Sequence, residues 1–261
     1  MRRTVLGSLA LTCVMLSSCG GGGGDAAPAN APPTAIKDIA GLWGAAGDPN
    51  NSASTMGFFL TVGDVGYGVE TTGNTQRFFR GTGLAAEGTG FAFSQSRFDK
   101  PVAPPSQFSS GLKVTNGKLA GSLSTANELD LSFVTTGAVN DFIPLRLTTG
   151  APNTSIVADL REYAGSFAAQ ANTVKIVASS ADSGTISAKS FFGCDWSGTI
   201  TRPRTDKNVW VIRANQSACV DVSRNSAVSE GLATLFTSGS TKGVLLLTLD
   251  GSVWTIATVT R

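Results

Sequence analysis

Residues 111–133 read GLKVTNGKLAGSLSTANELDLSF. Leu112 and Val114, then Leu119, then Leu129, Leu131 and Phe133 stand two apart. Lys113, Thr115, Lys118, Ala120 and Ser122, and later Glu128, Asp130 and Ser132, take the alternate positions. A period of two is the mark of a strand with one buried and one wet face. Asn116-Gly117 is a favoured pair for a two-residue hairpin turn. The stretch therefore predicts a hairpin with Val114 opposite Leu119 and Leu112 opposite Gly121, followed by a third antiparallel strand.

The pattern continues on both sides. Ile143, Leu145 and Leu147 give another inward set with Arg146 outward. The chain then loosens over residues 148–154, where a domain boundary is expected. Beyond it, a helical turn at Asp159–Tyr163 precedes a second β series. Val174, Ile176 and Ala178 alternate with polar neighbours, and Cys194, Trp196, Gly198 and Ile200 share one face. Val209–Ala214 reads as a further strand. Asp250-Gly251 reads as the last hairpin turn, pairing Leu247 with Trp254 and Leu245 with Ile256 as an inner face. No segment keeps a 3.6-residue apolar period. The fold class is all-β: two small antiparallel β-barrel (or sandwich) domains, residues 36–150 and 157–261, with room for about eight short strands each. The halves are expected to separate on mild proteolysis between about Thr148 and Ser155.

The start of the chain has a different composition. Arg2 and Arg3 precede an apolar run from Val5 to Leu16, and Leu16-Ser17-Ser18-Cys19 follows. That order is the layout of a secretory signal, and the run is shorter than the ~20 residues a spanning helix needs. Leu16-Ser17-Ser18-Cys19 resembles the lipobox of bacterial lipoproteins. The resemblance implies a signal peptide over residues 1–18 and a lipid on Cys19, with Gly20 after it implying an outer-membrane destination. Residues 19–35, led by Gly20 to Gly24, read as a flexible Gly/Pro/Ala tether. The poly-glycine also resembles the anchor of surface lipoproteins of the transferrin-binding-protein-B type.

Gly41-Leu42-Trp43 and Gly165-Ser166-Phe167 open the first strand of each half. Both resemble the Gly-x-Trp start of lipocalin-like barrels. By that resemblance, Arg261 is expected near the opening of the second barrel.

Composition narrows the chemistry. The chain has 20 basic and 18 acidic residues, and Arg2 and Arg3 leave with the signal, so the mature charge is balanced. A neutral surface has no field to steer a polyanion, which argues against nucleic acid. There is no histidine, so the commonest general base and metal ligand is absent. By the lipobox resemblance, Cys13 is lost with the signal and Cys19 carries lipid. Cys194 and Cys219 remain, and in an oxidising compartment they read as a disulfide.

Three motifs have the spacing of chemical sites. Gly81-Thr82-Gly83-Leu84-Ala85-Ala86 matches a dinucleotide pattern, but Glu87-Gly88-Thr89-Gly90 follows, so it reads as a glycine-rich turn. Glu128 and Asp130 share a face, on the solvent side. Ser110 and Lys113 have serine–lysine spacing but stand at a strand start, where their side chains diverge. No catalytic centre, metal or cofactor is expected.

Aromatic residues are uneven. Ten of the 14 phenylalanines lie in the first half, including Phe58-Phe59 and Phe78-Phe79. A doublet on a strand puts one ring on each face. The outward rings suit either an interdomain contact or a partner surface, so Phe58, Phe59, Phe78 and Phe79 are the candidate binding residues, beside a Pro-rich loop at residues 99–105. The expected function is a lipid-anchored, non-catalytic module that binds an envelope protein or glycan. A lipocalin-like carrier of a small apolar ligand is the alternative, and a hydrolase of unknown type the third reading. Eight strands leave a bore that side chains just fill. Leu245, Leu247, Trp254 and Ile256 read as that filling, which favours the binding module.

Overall fold

The structure is a computed structural model and describes residues 37–45, 55–72, 75–101, 112–135, 145–148, 157–169, 172–251 and 254–261. The signal, Cys19, the tether, Ser110 and most of the Pro-rich loop lie outside these residues. The described residues are all-β, with two short 3-10 turns between strands.

Eight strands close the first barrel in chain order. They are β1 (Gly41–Ala45), β2 (Thr55–Val62), β3 (Val65–Thr72), β4 (Thr75–Glu87), β5 (Gly90–Pro101), β6 (Leu112–Thr125), β7 (Glu128–Thr135) and β8 (Leu145–Thr148). Gly44 opposite Thr148 closes the ring. Eight more close the second: β9 (Gly165–Ala169), β10 (Asn172–Ala178), β11 (Ser183–Phe191), β12 (Cys194–Thr201), β13 (Trp210–Ser217), β14 (Val228–Ser238), β15 (Thr241–Leu249) and β16 (Trp254–Thr260). Thr260 opposite Ala168 closes that one. Every neighbouring pair is antiparallel, so closure leaves no unpaired edge.

The first bore is filled by rings. Trp43, Phe59, Phe79, Phe91, Phe93 and Phe133 pack there with Leu119, Leu129 and Leu131. Glycines on neighbouring strands make the room. A Cβ on Gly66 would stand 2.3 Å from the Phe59 ring, on Gly68 2.1 Å from Phe79, and on Gly81 2.4 Å from Phe93. Large rings thus lie over bare backbone across the pleat, which explains why so many phenylalanines and glycines occur together.

The second bore holds Phe167, Val174, Ile176, Ile186, Trp196, Ile200, Trp210, Ile212, Leu235, Val244, Leu246 and Val259. On β13 the alternation is regular, with Trp210, Ile212, Ala214 and Gln216 buried and their neighbours exposed. One end is plugged by the 3-10 turn Leu160–Tyr163, capped by Asp159, whose Oδ1 accepts from the Arg161 amide at 2.9 Å. Arg261 closes over it. Its guanidinium donates to the Ala164 and Glu162 carbonyls and lies 4.9 Å from the Phe167 ring centroid. At the other end Cys194 and Cys219 form a disulfide. Beside it the buried Asp250 carboxylate accepts from Arg224 and Gln216.

Four local expectations are corrected. Asn116-Gly117 is not a turn: both lie inside β6, opposite Arg97 and Ser96 of β5. Pairing along the whole of the long β5 outweighs the local preference, and the chain reverses at Ala126-Asn127 instead. Inward parity survives, because Leu119, Leu129, Leu131 and Phe133 are all buried. Gly81–Ala86 is likewise strand, within β4, with Gly83 at φ +71° where the ladder to β5 skips one pair and resumes in the same register. The last hairpin pairs Leu249 with Trp254 and Leu247 with Ile256, two positions from the expected register. Its Leu247 face is also not the bore: Val244, Leu246 and Val259 point inward, and Leu247 and Leu249 point out.

That outward face joins the two halves. Leu60, Val62, Tyr67, Val69 and Phe78 of the first barrel form one buried cluster with Val209, Leu232, Leu247 and Leu249 of the second. The barrels belong to one compact unit.

Candidate functional site

The seam between the barrels comes from strands whose two faces are both apolar. On β2, Phe59 faces the first bore while Leu60 and Val62 face the second barrel. On β3, Gly66 and Gly68 face inward and leave Tyr67 and Val69 outward. On β14 and β15, Leu232, Leu247 and Leu249 answer them.

The candidate partner surface therefore needs correction. Phe59 and Phe79 are core residues of the first barrel, 0% and 1% exposed. Phe78 is buried in the seam at 3%, and Phe58 is half-buried against the same cluster. The outward rings are covered by the second barrel, because β14 and β15 offer an apolar face of matching extent. The doublets build the molecule rather than display a surface. Glu128 and Asp130 stay on the outer face, half-buried, with Ser124 donating to Glu128 at 3.4 Å and Asp130 opposite Arg146 in register.

Where the seam opens, it leaves a cleft of about 360 Å³. Val62, Val65 and Tyr67 line one wall, and Val211 and Leu232 the other. Arg80, Arg213, Glu230 and Asp64 supply its charge. Arg213 and Glu230 approach to 3.5 Å across β13 and β14, both substantially exposed. Asp64 is exposed in the turn between β2 and β3.

Arg80 is the distinctive group. It stands opposite Tyr67 in register, and its guanidinium carbon lies 5.5 Å from the centre of that ring. Burial pushes the Tyr67 hydroxyl pKa up; the Arg80 charge opposes this and the Glu230 charge adds to it. The phenol therefore stays protonated at neutral pH. Arg80 Nε is buried and has no hydrogen-bond partner. Among the described side chains, no carboxylate forms an ion pair with Arg80. Arg80 also borders a second depression of about 180 Å³, shared with Thr82, Gln95, Ser96 and Asn116. Ser96 is committed internally: its hydroxyl donates to the Phe93 carbonyl and accepts from the Leu119 amide. Thr82, Gln95 and Asn116 face outward beside Arg80.

Compared with known protein families, with curated proteins and with solved structures, the chain matches none. The site is read from its own chemistry. An apolar shelf, a guanidinium laid on an aromatic face and a row of amide and hydroxyl groups suit recognition. Neither Arg80 nor Tyr67 is among the candidate residues marked by the sequence pattern. Their signal was present: Tyr67 stands alone between Gly66 and Gly68, and Arg80 keeps the outward parity of Phe78. What the sequence alone withheld is that a second barrel stands across from them.

Proposed function

We propose that the chain is a lipid-anchored, non-catalytic binding protein of a bacterial outer membrane, tethered through Cys19, which holds an envelope protein or glycan at the cleft between its barrels. The observation that carries the reading is Arg80: a cation over Tyr67, with an unpartnered buried Nε, at the junction of an apolar cleft and a polar depression. The filled bores support a partner outside the barrels over an apolar ligand inside one. In the first barrel Phe59, Phe79 and Phe93 already press against Gly66, Gly68 and Gly81.

Two measurements test the reading. Metabolic lipid labelling should mark the wild-type chain and not Cys19→Ala; labelling that persisted would remove the anchor. Crosslinking in intact envelopes, with the crosslinker at Asp64 on the cleft rim, should capture a partner that Arg80→Gln loses. Capture unaffected by Arg80→Gln would move the binding site elsewhere.

A further inference from the structure

We infer that the cleft recognises a peptide C-terminus ending in an apolar residue: its carboxylate on Arg80, its last side chain on the shelf of Val62, Val65 and Leu232, and its preceding amides along Thr82, Gln95 and Asn116. This rests on the reading of the cleft as the binding site and names the group it takes.

Three observations converge on that chemistry. First, the charge. Arg80 is a guanidinium laid on the Tyr67 ring and hydrogen-bonded to that side chain, with its Nε unpartnered and no ion pair among the described side chains. A guanidinium fork matches a carboxylate in a bidentate pair. Of the other charges lining the cleft, Arg213 approaches Glu230 and Asp64 is exposed at the rim. Arg80 is thus the cation most in need of an anion. Second, the shelf. The cleft beside Arg80 is lined by Val62, Val65, Tyr67, Val211 and Leu232, which suits an aliphatic or aromatic side chain. Third, the depression on the far side of Arg80 presents Thr82, Gln95 and Asn116. A free fatty acid has no groups to place there, and an acidic sugar has nothing for the apolar shelf. A peptide end uses all three parts, and capture of a terminal carboxylate is an established mode of peptide recognition.

The test uses the whole mature chain and the probe acetyl-Gly-Ala-Ala-Leu, as the free acid and as the C-terminal amide, followed by calorimetry and by chemical-shift perturbation. The free acid is expected to bind at least tenfold more tightly than the amide, with shifts at Tyr67 and Leu232. Arg80→Gln should erase the difference between acid and amide. Replacing the last Leu of the probe by Asp should weaken binding at least tenfold. Arg80 is half-exposed on a strand surface, and an unchanged thermal melt of Arg80→Gln separates lost recognition from lost folding. If acid and amide bind equally and Val65→Asp abolishes both, the cleft is a binding site but the carboxylate inference is overturned. If octanoate shifts the same residues and the peptide acid does not, the cleft takes a free amphiphile and the peptide inference is wrong. If no probe binds and partner capture is indifferent to both Arg80→Gln and Val65→Asp, the inference and the proposed function fall together.

Discussion

Asp38 and Arg204 lie on different barrels, 166 positions apart in the chain, and their side chains meet at 2.8 Å. Lys207 reaches the other oxygen of the same carboxylate at 2.9 Å, and the Ala40 amide donates to it from its own segment. The residue just before the first strand is thereby clamped to the loop between β12 and β13. The apolar seam supplies the adhesion, and this cluster fixes its rotational register.

The clamp should respond to acid. Burial alone would push the Asp38 carboxyl up, but the hydrogen bonds from Lys207, Arg204 and the Ala40 amide outweigh it and hold the group below its ordinary value. The folded pKa is the lower one, so the contribution is complete above about pH 4 and is lost as pH falls through the folded value. With Asp38 substantially exposed, it amounts to about 1 kcal/mol or less. Asp38→Asn should lower the melting temperature slightly at pH 7, and the gap to wild type should narrow as the pH falls below about 4. A gap that widened on acidification would show that the clamp does not act this way.

Phe78→Ser should act on stability rather than on partner capture. The ring is buried among Val209, Leu232, Leu247 and Leu249, and removing such a ring costs about 3–5 kcal/mol. Urea unfolding should register that loss. A variant as stable as wild type would contradict the seam.

Gly68→Ala should destabilise although it adds one methyl group. The new Cβ would fall 2.1 Å from the Phe79 ring, which has packed neighbours on every side. Overpacking of this kind costs about 1–3 kcal/mol. Pairing it with Phe79→Leu should recover part of the loss, and a strictly additive double variant would argue against direct contact.

At the far end of the second barrel, Asp250→Ala should be among the most damaging single changes. The carboxylate side chain is 1% exposed and accepts from Arg224 at 2.9 Å and Gln216 at 2.7 Å. Removing it leaves a largely buried cation, at a cost of about 3–5 kcal/mol. Replacing Cys194 and Cys219 by serine should cost about 3 kcal/mol, from the loop of 25 positions they close. Denaturant melts of both variants check these values, and a wild-type midpoint in either would contradict the corresponding role.

Inward parity was largely legible in the sequence, and register was not. Leu119, Leu129, Leu131, Phe133, Val174, Ile176, Trp196 and Ile200 all face the bores as their alternation predicted. The turn at Asn116-Gly117 failed because a preference of a few residues competes with pairing along the full length of β5 and β6. On β15, Val244 to Leu249 are apolar on both parities except Thr248. A period of two cannot then distinguish the bore from the outer face. The same ambiguity hid the site. Phe78, Tyr67 and Leu247 look like surplus core residues until the opposite barrel is present, and Arg80 becomes notable only beside them. The pairing of Cys194 with Cys219 was readable because no other cysteine remained after Cys13 and Cys19 were assigned.

The seam has one more consequence, and it concerns time. Phe78, Tyr67 and Leu60 precede their cover on β14 and β15 by roughly 170 residues, which at typical synthesis rates is on the order of ten to thirty seconds. Wherever the chain folds from its N-terminus, the first barrel can close its ring of strands while a greasy stripe still faces water. For that interval the nascent protein is a natural client for a holdase chaperone, and a chain truncated before Leu232 would remain one permanently.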